Sequence, residues 1–143
     1  MKKIIIFFVI ILIIISSISY IYLNYKSDYN MAKKANLQFE KYLNKEVYGT
    51  DIATAINKAI DNNTKNEIEK NNKGIYLNNN KNSINIEIKM LDDDTIYKME
   101  NFYNSGIQKF ISYYGNIKFK CVDIKYHTST NQVKYMLFEQ TTS

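Results

Sequence analysis

Three consecutive carboxylates, Asp92-Asp93-Asp94, form the densest charge cluster in this 143-residue chain. Oxygen ligands grouped this way can hold Ca²⁺ or Mg²⁺, but their spacing fits no EF-hand loop. The same residues end one strand and open the next helix. There Asp94 would serve as N-cap, with its neighbours near the positive end of the helix dipole, and capping accounts for them. His127, the only histidine, could act as a general base with Asp123, yet it falls in a predicted turn, a surface position. Cys121, the only cysteine, could be a nucleophile, but a lone thiol inside a strand reads as a small buried hydrophobe. A Cys121–His127 dyad would require the intervening chain to fold back. The 13 tyrosines could line a carbohydrate-binding face. Tyr103 and Tyr114, however, fall on an apolar stripe, and Tyr97 and Tyr113 read as exposed by composition. Gly49-Thr50-Asp51 has one glycine, short of the repeated backbone donors of a phosphate loop. No catalytic, cofactor-binding or metal-binding residue is assigned, and no cofactor is expected.

Composition narrows the partners. The formal charge is +5, and every basic residue is Lys. Bidentate reading of phosphate and guanine is chiefly the work of Arg, so no nucleic-acid partner is expected. A mild lysine excess suits a solvated surface or weak attraction to anionic lipid or wall polymer. A single cysteine makes no internal disulfide, so packing must stabilise the fold.

The elements that position these residues begin with IIIFFVIILIIISSISYIYL, residues 4–23, an uncharged run without Gly or Pro. About 20 such residues span a bilayer. Three readings compete. An uncleaved anchor places Lys2 and Lys3 at one interface and Tyr20, Tyr22 and Tyr25 at the other. A signal peptide would use residues 4–15 as its apolar core and be cleaved after Ser17-Ile18-Ser19. A type IV prepilin would need a small residue at its processing site and a Glu just inside the apolar run, and both are missing. The anchor is the expected form, N-terminus inside and C-terminal part outside. Lys26, Lys33, Lys34 and Lys41 on the far side weigh the other way.

Beyond the membrane segment, Tyr29, Ala32, Ala35, Phe39 and Tyr42 recur at helical spacing. They predict that the helix continues as an amphipathic stalk over 24–45. Gly49 allows a bend, Thr50 is a candidate N-cap, and Ile52, Ile56, Ala59 and Ile60 face a second helix ending near Asp61-Asn62-Asn63. Ile75-Tyr76-Leu77 is a short apolar run. Ile84, Ile86, Ile88 and Met90 alternate with polar residues, the mark of a strand with one buried face. Ile96, Met99, Tyr103, Ile107, Phe110 and Tyr114 trace a helix over 94–114, closed by Gly115, with Gly106 weakening or bending it. The alternation through Ile117, Phe119 and Cys121 changes phase at Val122, which a bulge explains; burial of both faces is the alternative. Val133 to Phe138 form a last strand.

These elements predict an α+β chain with a short n-region (1–3), a transmembrane helix (4–23), a helical stalk (24–45) and a head (46–143). The head would be a small antiparallel or mixed sheet packed on one helix in the order β-β-α-β-β. The stretch KEVYGTDIATAINKAIDNN, the strand IEIKM and the final YMLFEQ resemble a group of small single-anchor proteins of low-GC Gram-positive bacteria. More loosely, the layout is similar to pseudopilin-type subunits. The resemblance implies a membrane-anchored architecture and carries over no activity. The expected role is an extracytoplasmic, non-enzymatic binding or assembly head, meeting the bilayer through 4–23 and a protein partner through the helix at 47–60. The rivals are a cleaved, secreted domain and a carboxylate-dependent hydrolase of wall or lipid substrates.

Overall fold

The computed structural model describes residues 2–92 and 95–142. It falls into two compact units, Met1–Met31 and Ala32–Ser143. Asp93 and Asp94 lie outside the described residues, and with them the expected N-cap and most of the acidic triplet. Asp92 is exposed in a turn.

The first unit is the leading part of helix α1 (Lys2–Glu40). Uninterrupted Ile, Leu, Val and Phe without a helix breaker make this stretch helical. Its large apolar side chains are exposed, and the helix is long and apolar enough to cross a membrane. At 1.5 Å per residue, the run 4–23 covers about 30 Å, a hydrocarbon thickness. The Ser17 hydroxyl donates to the Ile13 carbonyl one turn back (2.8 Å), so this polar group is satisfied within the helix.

The second unit is α+β. It starts earlier than the sequence suggests, because residues 32–40 belong to the head and not to a free stalk. Ala32, Asn36 and Phe39 are buried there at i, i+4, i+7 spacing. Asn36 anchors this turn: its side chain donates to the Asn131 carbonyl (2.7 Å) and accepts from the Val133 N–H (2.8 Å).

After α1 come β1 (Glu46–Tyr48), α2 (Gly49–Lys65), β2 (Asn85–Lys89), β3 (Ile96–Lys98), α3 (Met99–Asn104), α4 (Ile107–Tyr114), β4 (Lys118–Tyr126) and β5 (Val133–Gln140). The five strands form one mixed sheet in the order β1-β4-β5-β2-β3. β2 runs parallel to β5, and the other neighbours are antiparallel. One face carries Ile86, Ile88, Phe119, Cys121, Met136 and Phe138. These pack with Ile52, Ile56 and Ala59 of α2, Met99 of α3 and Phe110 of α4. The sheet is therefore covered by α2 and a broken α3–α4 pair, not by one helix.

Several expectations are revised. Ile75-Tyr76-Leu77 is no strand: Tyr76 makes a single bridge to Lys70 inside a loop. The helix expected over 94–114 starts at Met99 and breaks at Gly106, whose φ of 95° is left-handed backbone that glycine tolerates. Ile96–Lys98 pairs with β2 instead, so Tyr97 packs against the core and Tyr103 is exposed. α2 begins one residue before Thr50. Its N-cap is Tyr48, whose N–H donates to the Asp51 carboxylate (3.2 Å). Gly49 serves close approach and not a bend, since a Cβ there would collide with the Tyr114 carbonyl. The small-residue face of 47–60 is spent inside the head. Ala53, Ala55 and Ala59 are buried, and Tyr48 is the segment's one exposed large apolar side chain. The phase change in β4 is a bulge: the register slips between Cys121 and Asp123, leaving Val122 exposed.

Candidate functional site

The other face of the sheet is not covered by these helices. Pairing puts Lys125, Tyr135 and Asn85 in one row and Asp123, Leu137, Glu87 and Lys98 in the next. β3 pairs only with residues 87–89 of β2, so the backbone at Asn85 and Ile86 has no β3 neighbour. A cleft of about 350 Å³ opens there. Five short segments line it: Tyr76 and Asn78 from the loop, Asn85–Glu87 of β2, Lys98 and Glu100 at the β3–α3 junction, Lys125 and Tyr126 of β4, and Lys134 and Tyr135 of β5.

Its chemistry is polar, with three lysines, two glutamates and three tyrosines. The Tyr135 hydroxyl donates to Glu87 (2.9 Å). Burial, then the Glu87 carboxylate, raises the Tyr135 pKa, keeping the phenol protonated. Burial and then Glu40 raise that of Tyr126, whose hydroxyl donates to Glu40 (3.0 Å). Lys125 is held by Asp123 (3.1 Å) and lies over the Tyr135 ring. Lys98 and Lys134 have no carboxylate within ion-pair distance among the described residues. Glu100 is only 3% exposed. One of its oxygens accepts the Tyr76 N–H (3.0 Å), and the other has no donor among the described residues. The Asn85 amide donates to the Asn78 carbonyl oxygen. Among the described residues, that leaves the Asn78 side-chain N–H₂ and the Asn85 side-chain carbonyl without protein partners.

The residues singled out in the sequence lie elsewhere. Cys121 is fully buried, its thiol against the Asp123 carbonyl (3.6 Å). Burial pushes that thiol up to about 11, which suppresses the nucleophilic thiolate. His127 is not on the surface. It is buried, and its Nε2 pairs with the Ser83 carbonyl (2.8 Å). Burial lowers its pKa, and nearby Lys134 adds to the effect. Asp123 pairs with Lys125, so neither proposed dyad forms. Among the described residues, no cluster of three or more His, Cys, Asp or Glu gathers that could hold a metal. A second hollow of about 250 Å³, lined by Phe102, Phe110, Tyr113 and Tyr114, collects aromatic rings. Sequence reasoning missed the cleft because each lining segment is ordinary alone. The usable signal was the same-face phase of Glu87, Lys98 and Tyr135, which acquires meaning only with the strand register.

No family model matches the chain, and neither a curated protein nor a solved structure matches it.

Proposed function

We propose that this is a single-pass membrane-anchored protein whose extracytoplasmic head is a non-enzymatic binding subunit, of the kind its resemblance to small single-anchor Gram-positive proteins suggests. The observation that carries the reading is the cleft, which presents two lysines without a carboxylate partner among the described residues and a buried glutamate with an oxygen to spare. The exposed apolar helix of membrane-spanning length supports the anchored part of the reading. The cleft replaces the 47–60 helix as the contact surface, because that helix's apolar residues are spent in the core.

Two experiments test the reading. A photocrosslinking residue at Lys98, in the full chain in native membranes, should trap a specific adduct that the same probe at exposed Asn57 does not. Equal trapping at both positions, or none at either, would overturn the binding role. Orientation is read with Asn72→Cys, since native Cys121 is buried and poorly ionised. An impermeant maleimide should label it in intact cells; labelling only after permeabilisation would put the head inside.

A carboxylate hydrolase keeps one observation in its favour, the presence of Glu87 and Glu100 in one cleft. Both already accept hydrogen bonds from protein donors, which suits ligand binding better than proton delivery.

A further inference from the structure

Resting on the reading of the head as a binding subunit, we infer that the cleft recognises a small zwitterion of dipeptide size, a free amine and a free carboxylate joined by one peptide group. Glu100 provides the first argument. It is a carboxylate more than nine-tenths buried, with one oxygen held by the Tyr76 N–H and no cation within ion-pair distance among the described residues. Its second oxygen is left open to the cleft, where an entering ammonium would pair with it. The second argument is the opposite charge in the same cleft. Among the described residues Lys98 and Lys134 have no carboxylate partner, so a ligand carboxylate completes them. The third is a pair of side-chain amides in the same cleft. The unspent N–H₂ of Asn78 and carbonyl of Asn85 are the complement of one peptide C=O and N–H.

Size agrees. A sphere of the cleft's volume is about 9 Å across, and two extended residues span about 7 Å. A bare divalent cation fits less well, because lysines share the cleft with the two glutamates.

The test uses the full chain in lipid nanodiscs, titrated with alanyl-alanine, its N-acetyl form and its C-terminal amide, and followed by calorimetry and amide NMR. Alanyl-alanine should bind, and each capped form should bind about tenfold or more weakly, the scale of one charge-assisted hydrogen bond. Glu100→Gln should weaken alanyl-alanine but leave the N-acetyl form unchanged. Lys98→Gln with Lys134→Gln should do the same for the amide. This coupling separates contact with the ligand from loss of folding, and the exposed Lys98 gives a variant with no core to disturb. Equal binding of all three ligands, no binding at about 10 mM, or saturation of the site by Ca²⁺ alone would overturn the assignment. A Lys98-specific crosslink that alanyl-alanine does not compete away would refute the dipeptide while leaving the binding role standing. Absence of both would remove both.

Discussion

Asn63 offers the sharpest test of how this head is held together. It is fully buried near the end of α2, and its side chain bonds both backbone groups of Ile84: the amide donates to the carbonyl (2.8 Å), and the amide oxygen accepts the N–H (2.8 Å). The side chain thus stands in for a neighbouring strand just before β2 begins. Asn63→Leu keeps the approximate volume but strands one buried donor and one buried acceptor. Each unsatisfied group costs about 1–3 kcal/mol; with about 1 kcal/mol returned by the added apolar burial, the expected loss is about 1–5 kcal/mol. With a urea slope of about 2 kcal/mol/M, the midpoint should fall by about 0.5–2.5 M at unchanged slope. Asn63→Asp separates hydrogen bonding from packing. Its carboxylate still accepts from Ile84 N–H but faces the Ile84 carbonyl with an oxygen, so at neutral pH it should be at least as damaging. Protonation restores a donor. The folded state would therefore hold that proton more tightly than the unfolded state, and stability should recover as pH falls toward about 4. A leucine variant within about 0.5 kcal/mol of the parent would refute the account of Asn63 as a surrogate strand.

Other outcomes follow from the same structure. Gly49→Ala should destabilise by about 1–3 kcal/mol in urea melts although alanine favours helix by about 1 kcal/mol, because the new methyl meets the Tyr114 carbonyl; a stabilised variant would contradict that close approach. Tyr42→Phe should be neutral or stabilising by up to about 1 kcal/mol, since the buried Tyr42 hydroxyl has no hydrogen-bond partner among the described residues; a clear loss would reveal one. His127 has a lowered pKa when folded, so below its ordinary value of about 6.5 the unfolded chain binds more protons. Stability should drop as pH falls through that window, by at most about 1.4 kcal/mol per unit, and His127→Gln should remove this slope in melts at about pH 7.5 and 5.5. Cys121, pushed up to about 11, should alkylate about a hundredfold more slowly than a free thiol at about pH 8 and at the ordinary rate once urea unfolds the head.

What the sequence revealed follows from which physical signal each element carries. Ile84, Ile86, Ile88 and Met90 alternate without interruption, and β2 lies where they place it, with Ile86 and Ile88 in the core. The phase change after Cys121 was readable as a bulge, because an extra residue inverts alternation. β3 was hidden: Ile96 and Met99 satisfy helical spacing, and three residues are too few to show a period of two against it. Asn36 and Asn63 were unreadable for another reason. In a chain this rich in asparagine they pass for helix-end or compositional residues, and their role depends on backbone groups from distant parts of the chain. His127 illustrates the same limit. Its neighbours form the expected turn, but the ring turns inward to Ser83.

The order β1-β4-β5-β2-β3 also governs when the head can fold. β5, the last strand in sequence, is the middle one in space, and it is the only link between the β1-β4 and β2-β3 pairs. Until residues 133–140 have been made, the inner edges of the β1-β4 and β2-β3 pairs have no strand to join them. Such topology closes late, because contacts distant in sequence must form before burial rewards them. Open strand edges in the interim invite aggregation. The apolar helix is synthesised long before that closure. The segment long and apolar enough to cross a membrane is therefore complete while the head still lacks its central strand.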